Sequence, residues 1–331
     1  MFKKLKLYSI LICIALFTTA ASASNNATPF SIKNLNPFIL VYGLPFTEAA
    51  ELKTQGNHAS AFSLDIVNNS MLTSSGNESI SLDGETYRLA YSYRYGLDHN
   101  TEIGVEVPWL AHNRGFMDNF IEGWHDTFGL TNNERNKTPS NTLNYQYSLN
   151  NSPVTTINSA TQGIGDIRLF AARQLQKTAD SALSLHISLK LPSGDAEQLH
   201  GSGATDLSAS LAHIKRNWLS SLQLTSFANA GLLYLGKGDV LANIQNRLVG
   251  FGSTGLIWDN HHLIDLKTQL DFHSSIYDSN LDQLGSNTIQ LTVGGSIHFN
   301  PTTRLDIGVG ENLFTDTTPD FIINLVLKNN Y

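Results

Sequence analysis

The chain has 331 residues, 41% of them apolar and only 15% charged, with a formal charge of -7 at neutral pH. Ordinary soluble domains carry roughly 25% charged residues, so this composition suits a protein whose outer surface meets lipid. The acidic balance argues against nucleic acid as a partner, because phosphate contacts need clustered Lys and Arg.

At the amino terminus Lys3, Lys4 and Lys6 precede an apolar run over 7–17 and small residues ending Ala21-Ser22-Ala23, the pattern of a secretory signal cut after Ala23. The run is too short to cross a bilayer as a helix, and no later stretch reaches about 18 uninterrupted apolar residues. Removing 1–23 takes away three lysines and no acid, moving the formal charge from -7 to -10, and also removes Cys13, the single cysteine. No disulfide or thiolate metal site remains. Residues 24–57 contain NPFILVYGLPF at 36–46, apolar on both parities. This stretch reads as a plug or periplasmic packing segment in preference to a strand.

From His58 onward apolar residues alternate with period two, as along a half-wet strand. Phe62, Leu64 and Ile66 mark the first strand, and Tyr87, Leu89, Tyr91, Tyr93 and Tyr95 the second. Ile103, Val105, Val107 and Trp109 mark the third; after a long interruption Ile167, Leu169, Ala171 and Leu175 mark the fourth. Leu183, Leu185, Ile187, Leu189 and Leu191 give the fifth, Leu207, Ala209 and Leu211 the sixth, and an irregular seventh runs over 218–235. On the eighth, Val249, Phe251 and Ile257 carry the outer face, which turns Gly250 and Gly252 inward. Ile264, Leu266, Leu270 and Phe272 mark the ninth, Ile289, Leu291, Val293, Ile297 and Phe299 the tenth, and Leu305, Ile307 and Val309 the eleventh. The twelfth closes the chain with Phe321, Ile323, Leu325, Leu327 and the terminal Tyr331, a set suited to an assembly signal for the barrel-assembly machinery.

Connections after even strands are short, whereas those after odd strands are longer, among them 69–84, 111–162 and 193–204. Outer-membrane barrels have short periplasmic turns, longer extracellular loops and periplasmic termini. A soluble β-sandwich also alternates but has no reason to gather its long loops at one end. The expected fold is all-β: a transmembrane antiparallel up-and-down β-barrel over 58–331 in the bacterial outer membrane, of about 12 strands with 10 or 14 open.

The face opposite the apolar sets carries Arg88, Arg94, Glu102, Glu106, Asp166, Arg168, Lys190, Asp206, Asp265, Lys267, Asp271, Arg304 and Asp306. Interleaved signs fit either a wet channel or a closed network of ion pairs. In the second long loop, FMDNFIEGWHDTFGL at 116–130 repeats Phe116, Phe120, Trp124 and Phe128 at four-residue intervals, with His125 beside Trp124. That spacing predicts a short helix with an aromatic stripe, which either constricts the mouth or anchors the loop on the barrel rim.

FIEGWHDTFGL, together with NPFILVYGLP, GIGDIRL at 163–169, LPSGD at 191–195 and GSGATD at 201–206, resembles the DUF3187 family of Gram-negative bacterial proteins across essentially the whole mature chain. The resemblance implies a barrel similar in pattern to outer-membrane transporters. It brings no catalytic residues.

Enzymatic patterns are weak. GFGSTG at 250–255 matches G-x-G-x-x-G but lies within a strand, away from any helix end. His186, His273 and His298 are too dispersed to share an ion, so neither a metal nor a cofactor is expected. A lipid-modifying hydrolase would need Ser and His together on the outer face, where Ser226, Ser253 and His213 are the candidates. The function expected is a channel or transporter for a small solute, which the aromatic loop suggests is apolar, gated by that loop helix. A lipid-modifying outer-membrane hydrolase and a closed structural barrel are the alternatives, and membrane lipid is the expected surroundings.

Overall fold

The computed structural model describes residues 27–118, 120, 121, 123, 127, 141–219, 222–258, 263–311 and 317–331. The signal expected at 1–23 lies outside these residues. Fifteen strands form one sheet among them: β1 (His58–Ser75), β2 (Glu78–Gly96), β3 (Thr101–Asn113), β4 (Asn144–Leu149), β5 (Ser152–Ile157), β6 (Thr161–Ile164), β7 (Arg168–Lys177), β8 (Ser181–Lys190), β9 (Asp206–Leu219), β10 (Leu224–Tyr234), β11 (Leu248–Trp258), β12 (Ile264–His273), β13 (Thr288–His298), β14 (Thr303–Glu311) and β15 (Phe321–Asn330).

Twelve of them, β1 to β3 and β7 to β15, close a barrel in which every neighbour is antiparallel, and β1 pairs with β15 from Ala59 opposite Asn330 to Asn68 opposite Phe321. These are the twelve strands marked by the apolar sets. Closure leaves no unpaired edge, which is the condition for strands to cross hydrocarbon. Phe62, Leu89, Ile103, Ile187, Leu211, Leu232, Leu270 and Val293 are exposed on the outer face, whereas polar and charged side chains are buried inside. The strands β4 to β6 belong to the long second connection. The hairpin of β4 and β5 extends β2 at the outer end, and β6 replaces β7 as the partner of β3 after a break at 165–167.

Two expectations need correction. Residues 69–84 are not a long loop: β1 and β2 continue past the barrel to a tight turn at Gly76 and Asn77, with Gly76 at φ +59. The faces of β11 are also reversed. Val249, Phe251 and Ile257 are buried inward while Leu248 and Trp258 are exposed outward, which puts Gly250 and Gly252 on the lipid side. Alternation reports that two faces differ but not which one meets lipid, and here the interior is apolar because it meets an apolar stretch of chain.

That stretch lies in residues 27–57, which run inside the barrel in two limbs. Thr28 accepts from Arg304 at the inner end, Phe30 N donates to Gln269 Oε1 at 2.9 Å, and Asn34 reaches His273 near the outer end at 3.1 Å. A single helical turn, α1 (Pro37–Leu40), forms the tip; Pro37 presets its start and Asn36 Oδ1 accepts from Phe38 N at 3.0 Å. Phe38, Ile39 and Tyr42 pack there with Tyr145, Tyr147, Leu233, Ile276 and Tyr277, just below α2 (Asp282–Gly285). The chain then descends past Gly43 and Glu48 to Lys53 and enters β1. Gly308 and Gly310 face this segment: a Cβ at either would lie 3.4 Å from Phe30 or 3.7 Å from Ile32, so the small wall residues give it room.

At the seam, Tyr331 stacks on His58 with ring centroids 4.8 Å apart, and the two residues exchange backbone hydrogen bonds of 3.1 and 2.8 Å. Deleting Tyr331 is expected to reduce the heat-modifiable, folded fraction in the membrane. A wild-type fraction on a semi-native gel would remove the terminal aromatic from barrel closure.

Candidate functional site

The lumen is a set of buried charges shared between the wall and the inserted segment. Glu48 lies at its centre: Oε2 accepts from Arg94 Nη2 at 2.5 Å and Oε1 from Arg168 Nη1 at 2.8 Å. Arg94 also holds Glu102 at 2.8 Å, and Lys53 N donates to the same carboxylate. Arg88 bridges Asp65 at 3.1 Å and Glu106 at 2.7 Å. Phe170 lies under the guanidiniums of Arg94 and Arg168, 4.4 and 5.0 Å from its ring centre, and Phe46 lies 4.8 Å from that of Arg88.

Around the wall, Asp306 gathers Lys267 at 3.2 Å, Arg304 at 3.4 Å and Lys328 at 2.8 Å. Asp265 pairs with His298 at 2.7 Å, and Asp271 accepts from Gln269 and from Thr47 Oγ1 of the inserted segment. Toward the outer end Lys190 meets Asp166, Asp206 at 3.2 Å and the carbonyl of Val41 at 3.1 Å. Each of the thirteen charged residues assigned to that face makes one of these ion pairs or hydrogen bonds. The partners missed were Asp65 and Lys328, on the polar parity of their own strands, and Glu48 and Lys53, which lie where no periodicity marks a face. Such pairs add little net stability once desolvation is counted, but they are costly to break singly and so fix position.

The aromatic loop sits elsewhere. Asp118, Phe120, Ile121, Gly123 and Thr127 are helical, and Ile121 N donates to Met117 O at 2.9 Å. Met117 and Ile121 are the buried side, and they pack with Phe321, Ile66, Val309 and Ile323 on the outside of the wall. Phe116 and Phe120 are exposed, with Phe120 edge-on to Phe321, so these two do not constrict the lumen. Trp124, His125 and Phe128 lie outside the described residues. Of the assembly set, Leu327 and Tyr331 are exposed on the outer face, Ile323 and Leu325 are half-buried, and Phe321 is covered by this helix.

The hydrolase candidates do not assemble. Ser253 faces inward, 2.8 Å from Thr47 Oγ1, which corrects its expected outer placement; His213 is exposed on the outside. Ser226 is diagonal to His213 across β9 and β10, with no hydrogen bond between them. His186, His273 and His298 bond separately to Ser184, Asn34 and Asp265. No three or more His, Cys, Asp or Glu among the described residues are grouped to hold a metal.

Free space in the lumen is divided. A cavity of about 130 Å³ runs from Lys53 and Asn330 up to Phe46 and Arg168, while spaces of about 20 and 30 Å³ flank Lys33 nearer the outer end.

The family model described as "Protein of unknown function (DUF3187)" matches residues 5–331. The chain belongs to the DUF3187 family. None of the curated proteins matches it in sequence. Among solved structures, the COG4313 outer membrane channel from Pseudomonas putida F1 is similar at 13% identity and a TM-score of 0.54, covering 85% of this chain and 98% of its own. The KdgM porin aligns over 82% of this chain and 99% of its own at 9% identity and a TM-score of 0.43. The CymD monoaromatic hydrocarbon channel aligns over 91% and 93% at 13% identity and a TM-score of 0.38. The first likeness establishes the barrel fold.

The DUF3187 motifs now have a place. NPFILVYGLP is the inserted tip, and GIGD, LPSGD and GSGATD are the outer-end segments that grip it. Asp166 accepts from Gly194 N at 2.8 Å and Ser202 N at 3.1 Å, while Asp206 accepts from Gly43 N at 2.8 Å and Gly236 N at 3.0 Å. In the same loop His200 is buried, stacked on His112 at 5.5 Å and 3.2 Å from Thr161 Oγ1. Burial lowers the His200 imidazole below its ordinary value, with Asp195 opposing weakly. Its neutral form is the one docked, so the docking energy is complete above the ordinary value of about 6.5 and is lost as pH falls toward the lowered one. Amide exchange over 194–202, corrected for intrinsic pH effects, should rise as pH drops from about 7 to about 5. A flat profile would place no titrating histidine in this loop's docking.

Proposed function

We propose that the protein is an outer-membrane channel for a small solute, closed in this state by residues 27–57. The observation that carries the reading is the kind of contact the segment makes at mid-barrel. There it is held by ion pairs and hydrogen bonds from Glu48, Thr47 and Phe30 N, which water can replace, beside small apolar clusters around Phe30, Ile32 and Ala50, whereas its largest apolar cluster lies at the tip. A charged lumen favours a polar or charged solute over an apolar one. Gating is assigned to this segment in place of the loop helix, because the described part of that helix lies against the outer wall. A closed structural barrel remains the second reading, favoured by the apolar cluster at the tip.

Planar-bilayer recordings of the full chain test the proposal. Thr47→Cys with Ser253→Cys replaces two oxygens 2.8 Å apart, so oxidation should lock the segment to β11 and silence conductance, with recovery on reduction. Glu48→Ala should raise the open probability at least tenfold. Silence of the wild type and of Glu48→Ala alike would favour the structural barrel.

A further inference from the structure

We infer that Arg94 and Arg168 form a receiving site for a small carboxylate solute, which takes over the two guanidinium contacts that Glu48 makes in the closed state. The inference rests on the channel reading and names the class of solute.

Glu48 uses its two oxygens on two different guanidiniums, at 2.5 Å to Arg94 and 2.8 Å to Arg168. A planar group with two equivalent anionic oxygens is what such a pair of planar forks selects, more sharply than any point charge. Glu48 is therefore an internal version of the ligand. It sits on the inserted segment, whereas both arginines belong to the wall, on β2 and β7. When the segment moves, the arginines stay on the wall with Glu102 and Glu106 beside them, and the N–H groups that held Glu48 are freed for another acceptor.

The surroundings leave room for a ligand. The cavity of about 130 Å³ borders both arginines and Glu48; Ala59, Ala61, Ser63 and Ser92 give it a small-side-chain stretch, and Glu51, Glu102 and Glu106 are balanced along it by Lys53, Arg304 and Lys328. An apolar cavity of roughly 150 Å³ accepts benzene, so the space takes a carboxylate on a skeleton of a few carbons up to one ring. Arg94 is the accessible member, with 23% of its side chain exposed against 4% for Glu48. Exchange replaces one carboxylate by another on the same donors. It therefore needs no new desolvation of the arginines, and the obstacle is the high local concentration of Glu48 itself.

That obstacle supplies the test. Glu48→Gln keeps the shape and removes the competing charge, so calorimetric titration of the full-length barrel in detergent should show benzoate bound at least tenfold more tightly by Glu48→Gln than by the wild type. Benzamide, the neutral probe of the same shape, should show no such gain. Arg94→Lys, which keeps the charge without the fork, should lose most of the benzoate affinity. Equal benzoate affinity in the wild type and Glu48→Gln, or an equal gain for benzamide, overturns the inference. Should Glu48→Gln fail to assemble, the wild-type barrel decides: benzoate must raise its melting temperature and benzamide must not. Binding is read here without a membrane. Tight benzoate binding with silent bilayers would reject the channel and keep the site, and conduction without the carboxylate preference would do the reverse.

Discussion

The bridge from Glu48 to Arg94 and Arg168 is the contact on which the interior depends. A wall of twelve strands encloses more space than its own side chains fill, yet less than a wide aqueous pore. Charges placed on that wall are partly dehydrated and need opposite charges close by. The wall supplies some of these itself, as with Arg88 between Asp65 and Glu106. Beside Arg94 and Arg168 it supplies Glu102 and Glu106, and the inserted segment adds one further acid that both arginines share. Glu48 thereby ties the segment to two strands of the wall at once.

The two ends of the segment are held by different physics. At the tip, side chains such as Phe38 and Tyr42 sit in an apolar cluster roofed by outer loops, and Tyr277 donates to the carbonyl of Phe38 at 2.7 Å. Below the tip smaller apolar clusters around Phe30, Ile32 and Ala50 alternate with polar contacts that lie next to open space. Water entering from the inner end can compete for the second set and has little effect on the first. Lys190 ties the tip to the outer-end segments, because its ammonium touches the Val41 carbonyl and both Asp166 and Asp206. The segments that carry the family motifs thus hold the tip directly.

The strands were legible because lipid on one side and polar groups on the other impose period two, and because the stretches between the apolar sets alternate long and short, although the first of the long stretches is a hairpin and not a loop. Legibility failed where the chain has no lipid. Residues 69–84 form a hairpin standing above the barrel, where Met71, Ile80 and Leu82 are buried against loops, and a segment buried on both faces loses its alternation. On β11 the alternation survives but its sense is reversed, since Val249 and Phe251 pack against the inserted segment. The ion pairs of the wall could be foreseen as a charged face. Their partners could not, because Glu48 and Arg168 are 120 residues apart and nothing local links them.

The loop helix illustrates the same limit and also explains an anomaly. Glu85 has the outward parity of β2, where a carboxylate would face the membrane border, yet it is almost wholly buried. Its Oε1 accepts from the backbone N–H groups of Phe116 and Met117 at 2.7 and 2.6 Å, and its other oxygen accepts from Tyr87. Gly115, at φ +74, is required at this crossing because a Cβ there would overlap the Glu85 side chain. Unpaired N–H groups at the start of the helix satisfy the acid, and Met117 and Ile121 cover the wall beside it. An aromatic stripe at four-residue spacing establishes that one side of a helix is greasy. It does not say which surface that helix lies on, and for the described part of the helix the buried charge on the outer wall decides it.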